Sequence, residues 1–263
     1  MKVKPKKSLG QNFLVNSDVI DKIVKCGILE NNDNVVEVGP GTGNLSKEII
    51  LKKPKNFFVI EKDEKLCNLL AEKFNDSLFI YNDDILNFKL NKLNYSNLVI
   101  FGNLPYNIST QILINWVLHD YNFTKIKKLV LMFQKEVADR ILGKVNEKNY
   151  GRLSIISNWK LKIKREFDID ASAFFPKPKV SSTLLSMVPK NNYFKITNPQ
   201  KLEQITSIFF NQRRKMIKKP LNKIFNNSER IIKKLNIDTN LRPQNLKPEV
   251  YFELAEILNK SVS

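Results

Sequence analysis

Histidine and cysteine are nearly missing from this chain: its 263 residues include one histidine, His119, and two cysteines, Cys26 and Cys67. Neither cysteine belongs to a C-x-x-C pair, so a disulfide framework, a zinc site and a histidine-based triad are all poorly supported, and chemistry without a metal is expected. No apolar run reaches the roughly 18 residues that a bilayer crossing needs, and no signal segment precedes the first polar stretch. No membrane partner is expected, and the location expected is cytoplasmic. Arginine is scarce, 7 residues against 37 lysines, yet the net charge is +18 at pH 7. Such an excess suits a polyanionic partner, nucleic acid above all. An AT-rich gene would also enrich lysine, but evenly. Instead, residues 189–263 carry 15 Lys/Arg against 6 Asp/Glu, and residues 1–188 carry 29 against 20, so positive charge is concentrated towards the C-terminus.

Glycine is also sparse, at 8 residues, and three of these fall in Val35-Val36-Glu37-Val38-Gly39-Pro40-Gly41-Thr42-Gly43-Asn44-Leu45. This pattern predicts a strand, a tight turn and a helix start, with Gly39, Gly41 and Gly43 free to take positive φ and bring backbone N–H groups close to a ligand. The third glycine comes one residue too early for the dinucleotide fingerprint, and no Gly-Lys-Ser/Thr follows. Spacing alone therefore leaves a ligand turn and a purely steric turn equally open.

Downstream spacing favours the ligand. Phe57-Phe58-Val59-Ile60 reads as a second strand ending in Glu61, about 20 residues past the glycine turn, where an acid can accept hydrogen bonds from ribose hydroxyls. Helical spacing over Glu64–Phe74 leads to a third strand, Leu78–Tyr81, followed by Asp83 and Asp84. A carboxylate there suits a donor such as the exocyclic amine of adenine, or else caps the next turn. Leu98–Phe101 is the fourth strand, Val130–Phe133 the fifth, and Val180–Val188 a closing strand; the order fits an α/β, doubly wound parallel sheet. Near the N-terminus, Gln11-Asn12-Phe13-Leu14 reads as a segment that packs down over something, and a helix is predicted from Ser17 or Asp18. Pro189-Lys190-Asn191-Asn192 marks a boundary between residues 1–188 and a wholly helical 189–263, in which Asn198 and Pro199 start one helix and Pro248 the last.

Asn103-Leu104-Pro105-Tyr106, just past the fourth strand, carries the most specific chemistry. The lone pair of an adenine N6 amine is delocalised into the ring. The Asn103 amide oxygen and the Leu104 carbonyl together can accept both amine hydrogens and draw the nitrogen towards tetrahedral geometry. Pro105 restricts Leu104 to extended angles, and Tyr106 offers a ring to the base.

These motifs, in this order and spacing, resemble the small-subunit ribosomal RNA adenine N6,N6-dimethyltransferases, the KsgA family, from about Gln11 to Leu258. The resemblance implies a Rossmann-like class I methyltransferase sheet over residues 1–188 and a small all-helical RNA-binding domain over 189–263. It implies S-adenosyl-L-methionine as methyl donor, with Asn12, Leu14, Gly39, Gly41, Glu61, Asp84 and Asn103 around it. Asn103, Leu104, Pro105 and Tyr106 would act on the adenine, with Phe174 of Ala173-Phe174-Phe175-Pro176-Lys177-Pro178 against its other face; Phe175 adds a ring where the family often has a smaller residue. Arg213, Arg214, Lys215, Lys218 and Lys219 correspond to the RNA-facing segment. The implied substrate is two adjacent adenosines in the 3′-terminal hairpin of small-subunit ribosomal RNA within a pre-assembled small subunit, methylated by a monomer. Two rivals share these motifs: a resistance-type methyltransferase of large-subunit RNA, and a non-catalytic RNA-binding assembly factor that keeps the fold.

Overall fold

The computed structural model describes residues 4–119 and 123–261. They form two compact units: Met1–Trp116, Asp120–Ala138 and Leu161–Pro189 make the first, and Val117–His119, Asp139–Lys160 and Lys190–Ser263 the second.

The first unit is built on a mixed sheet. Its strands and helices run β1 (Phe13–Leu14), α1 (Ser17–Gly27), β2 (Asn34–Val38), α2 (Asn44–Ile50), β3 (Asn56–Glu61), α3 (Glu64–Phe74), β4 (Phe79–Asn82), β5 (Leu98–Gly102), α4 (Ser109–His119), β6 (Ile126–Gln134), α5 (Lys135–Leu142), α6 (Arg152–Lys160), β7 (Leu161–Ile169), β8 (Phe174–Phe175) and β9 (Ser182–Pro189), with the last turn of α4, the end of α5 and all of α6 belonging to the second unit. The seven-stranded sheet has the order β4-β3-β2-β5-β6-β9-β7. Strands β2 to β6 pair in parallel, as the sequence predicts, while β9 is antiparallel to both β6 and β7. β2 and β5 are buried throughout, which is why they read as unbroken apolar runs instead of alternating ones. Ile20, Ile23 and Val24 of α1 join Val35, Phe57, Val99 and Phe101 in the core. The cap of α1 is Asn16, one residue before the position expected, and its side chain accepts from Val19 N at 3.0 Å. Register sets Val38 level with Ile60 and Gly102, and Glu61 level with Asn82, so the loops after four parallel strands emerge along one edge.

The second unit is helical. To α6 it adds α7 (Pro199–Phe210), α8 (Lys218–Ile224), α9 (Ser228–Leu235) and α10 (Pro248–Lys260). Asn198 caps α7 through Gln200 N, with Pro199 in the first turn, as read from sequence. The single boundary expected at 188/189 needs correction, because 139–160 groups with the C-terminal helices. The reason is α6, in which Ser154, Ile155, Ile156, Ser157 and Trp159 are all buried. A helix covered on every side needs neighbours all round. Trp159 lies near Phe252 and donates its indole N–H to Phe194 O at 2.8 Å, and Tyr150 donates to Leu246 O at 2.9 Å.

Candidate active site

The glycine turn, the acidic strand ends and the loop after β5 line one cavity. Gly39 leaves β2, and its N–H donates to Ile60 O at 3.0 Å. The side on which a Cβ would stand is open except for Asn103 O at 3.4 Å, so Gly39 leaves room for a ligand there. Gly41 and Gly43 also answer to packing. With φ of +57° and +75°, added Cβ atoms would stand 2.7 Å from the Phe13 ring and 2.5 Å from the Phe74 ring, respectively. The first glycine seats the N-terminal segment and the second lets α3 close up against the turn.

Three carboxylates follow. Glu61, at the end of β3, is 7% exposed. Its Oε2 accepts from Gly41 N at 3.3 Å and its Oε1 from Asp63 N at 2.9 Å, so both oxygens are fixed in the cavity wall, and burial raises its pKa. Asp84 caps its turn by accepting from Leu86 N at 3.0 Å, one of the two roles left open by the sequence, and it also lines the cavity. A Lys62 Nζ contact at 2.7 Å holds it below the usual carboxylate range. Glu37, in the middle of β2, is fully buried. Desolvation pushes its pKa to about 8, against the opposing hydrogen bond that Ser46 Oγ donates to Glu37 Oε2 at 2.6 Å.

Past β5, the Asn103 side-chain N–H donates to Asn12 O at 2.8 Å, which leaves the amide oxygen as the end free to accept. Pro105 O accepts from Ile108 N and Ser109 N at 3.1 and 3.0 Å, so the motif merges into the first turn of α4 and is held by it. The Tyr106 hydroxyl lies 2.6 Å from Ser182 Oγ at the start of β9, which fixes the ring. Asn12, Leu14, Gly39, Gly41, Glu61, Asp84, Asn103, Leu104, Pro105 and Tyr106 thus all border this cavity.

Phe174 does not. β1 and β8 pair antiparallel, with Leu14 opposite Phe174 and Phe13 opposite Phe175. Consecutive strand residues face opposite sides. Phe174 turns into the core at 3% exposure, packed in the cluster with Leu14 and Leu184, and Phe175 turns outward at 60%. The expected ring face at Phe174 is consumed by core packing.

Asp63 is a residue that the sequence reading missed. It caps α3, accepting from Lys65 N at 3.1 Å, and it also accepts from Lys6 Nζ at 2.8 Å and Gln11 Nε2 at 3.1 Å. Lys6 N in turn donates to Gln11 Oε1 at 2.7 Å. The stretch 6–12 is thereby fastened beside the cavity, and the hydrogen bonds draw its carboxyl pKa down despite burial. The available signal was an amide, Gln11, close to the lysine run Lys2, Lys4, Lys6 and Lys7, both wanting an acid.

In the helical unit, Arg214, Lys215, Lys218 and Lys219 gather round one hollow, and Arg242, not predicted, joins them. Arg213 is used differently. Its guanidinium donates to Gln244 Oε1 at 3.1 Å, to Glu147 O at 3.2 Å and to Lys148 O, so it laces two segments of that unit together.

A parallel sheet continued by antiparallel strands, with a glycine turn after β2 and acids after the next two strands, defines a Rossmann-like, S-adenosylmethionine-dependent class I methyltransferase. The cavity fits that donor on its own evidence: Gly39 leaves the space that a Cβ would fill, and Glu61 presents fixed acceptors. The chain belongs to the ribosomal RNA adenine dimethylase family, which matches it over residues 2–260. It is 53% identical over 256 residues to a ribosomal RNA small subunit methyltransferase A of Pelagibacter ubique, covering 97% of each chain. It is 39% identical to the protein of that name from a Wolbachia of Drosophila simulans, covering 96% of this chain and 93% of the other. Among solved structures it is similar to a dimethyladenosine transferase from Plasmodium falciparum, with TM-score 0.80, 26% identity, and 95% and 98% of the two chains covered. Among the described residues no helix is long and apolar enough to cross a membrane, and no group of three or more His, Cys, Asp or Glu is placed to hold a metal ion.

Proposed function

We propose that this chain methylates N6 of two adjacent adenosines in the 3′-terminal hairpin of small-subunit ribosomal RNA, twice each. It acts as a cytoplasmic monomer on a pre-assembled small subunit. The observation that carries the reading is the Asn103 amide, on a residue that lines the cavity, whose N–H end is committed to Asn12 O and whose oxygen is thereby the end left to accept. When bound, S-adenosylmethionine supplies an electrophilic methyl on a sulfonium. Glu61, Asp84, Gly39, Gly41, Asn12 and Leu14 hold it. The Asn103 oxygen and Leu104 carbonyl accept the amine hydrogens and aim the nitrogen lone pair, an oriented-dipole effect that needs no early base because N6 becomes acidic once alkylated. The adenosine leaves its stack to enter the cavity, and Tyr106, steadied by Ser182, gives it a ring to lie on. Arg214, Lys215, Lys218, Lys219 and Arg242 supply phosphate contacts that set register without reading sequence. The reading routes no step through a metal.

The test is transfer of labelled methyl to small subunits lacking the modification. Label is expected in the terminal hairpin, with Asn103→Ala slower by about 10²–10³-fold. Label in naked large-subunit RNA instead would favour the resistance-type rival, and RNA affinity with no cofactor affinity would favour a non-catalytic factor.

A further inference from the structure

Behind the cofactor cavity, on the far side of Phe13, the first unit has a second hollow that the proposed reaction does not use. Thr42, Asn44 and Phe13 line both. Cross-strand pairing sets Phe13 and Phe175 on one face of the β1–β8 ribbon. Phe13 is tucked under Gly41, whereas Phe175 and Val15 stand 60% and 49% exposed at the hollow's edge. An exposed ring beside an exposed valine is the arrangement a stacking partner would cover.

The charge around it is positive. Lys4 and Lys73 share the lining with the Phe175 ring, and Glu72 is the one acid on it. Neither lysine makes an ion pair among the described residues. Lys73 is held in place, donating to Thr42 O at 2.9 Å and standing 5.0 Å over the Phe74 ring, and burial together with nearby Lys47 keeps its pKa below the ordinary value. An exposed ring with two ammonium groups free of carboxylate partners on the same lining matches one base and its phosphate, because every base offers a π-face and stacking on an aromatic side chain tolerates any sequence. A purely apolar occupant would leave those cations buried against it.

We propose that this hollow holds the unpaired nucleotide next to the adenosine undergoing transfer, its base on Phe175 and its phosphate between Lys4 and Lys73. The placement is argued from the lining the two hollows share: Phe13, Thr42 and Asn44 border both this one and the cavity in which the adenosine is methylated. The inference rests on the RNA-methylating reading and extends it to the substrate's second contact.

The test uses the full chain and small subunits reconstituted around ribosomal RNA carrying 2-aminopurine on the 5′ or the 3′ side of the adenosine pair. With the unsubstituted protein, fluorescence of one of the two is quenched on binding. Phe175→Ala abolishes that quenching and raises KM for RNA about tenfold, while kcat and cofactor affinity hold within about twofold; Phe175→Trp restores both. Lys4→Ala with Lys73→Ala lowers the slope of log affinity against log salt by about 0.7, the figure for one single-strand phosphate contact. Unchanged KM and unchanged quenching in Phe175→Ala overturn the proposal. So does a cofactor affinity that falls as far as RNA affinity, which would make the ring a support of the first cavity. Methyl transfer by the unsubstituted protein is read in the same series. Its absence refutes the proposed reaction, whereas normal transfer with an indifferent Phe175→Ala refutes the hollow alone.

Discussion

Glu37→Gln is expected to flatten the pH dependence of this protein's stability. Glu37 is fully buried in β2, and its pKa is pushed from the ordinary 4.5 to about 8 by desolvation. The folded state therefore keeps a proton that the unfolded chain gives up. Stability from this group is complete below pH 4.5, falls as pH rises and levels off above about 8. Each pH unit between is worth about 1.4 kcal/mol, so the total loss is roughly 5 kcal/mol, comparable with the whole stability of many domains. Glutamine keeps the shape and an acceptor for Ser46 Oγ but does not titrate. The stability difference, variant minus parent, should be near zero at pH 5 and approach that figure by pH 9. Urea unfolding at fixed ionic strength measures it. With Trp159→Phe in both backgrounds, Trp116 is the remaining tryptophan and reports the sheet unit. Curves that stay parallel from pH 5 to 9 would refute the reasoning, because they would mean that Glu37 ionises as freely in the fold as outside it.

Gly41→Ala combines a left-handed φ, about 1–2 kcal/mol for a side chain, with a clash against Phe13, and should lower both thermal stability and cofactor affinity; differential scanning fluorimetry with and without cofactor measures both. Arg214→Ala should leave the melting temperature within about a degree and reduce the salt slope of RNA binding by about 0.9, whereas Arg213→Ala should cost about 1–2 kcal/mol of stability through its lost hydrogen bonds. Asp63→Asn frees Lys6 and Gln11 and should weaken cofactor binding several-fold in calorimetry, and the parent should lose the same grip only as pH falls through the depressed Asp63 pKa.

What was legible from the sequence depended on how far away each residue's partner lies. Glu61, Asp84 and Asn103 were readable because each follows an apolar strand, and parallel register brings strand ends level whatever the details of packing. The glycines were only half readable: their turn is local, but the atoms that forbid side chains at Gly41 and Gly43 belong to Phe13 and Phe74, about 30 positions away and outside any periodic pattern. Phe174 is expected against the target base, yet it turns into the core while Phe175 turns outward. Two aromatics in succession must diverge on a strand, yet which one turns inward is set by pairing with β1, 160 residues earlier. Arg213 and Arg214 likewise sit side by side in a run that reads as a single basic patch, and only tertiary contacts separate a residue that ties the fold from one that stays open to phosphate. Helix α6 was read as part of the sheet domain for want of any composition change on either side of it.

The pairing of β1 with β8 also bears on how the protein is made. Phe13 and Leu14 leave the ribosome about 160 residues ahead of their strand partners, Phe174 and Phe175. Asn44 and Asn103, which hold Leu14 O and Asn12 O at 2.8 Å, come in between. Synthesis runs from the N-terminus at about 5–20 residues per second, so the leading segment spends on the order of ten seconds or more without its final partner. A chain truncated anywhere before Phe174 lacks the strand that fixes this wall of the cofactor cavity. This wall of the cavity is thereby completed only once β8 has been made.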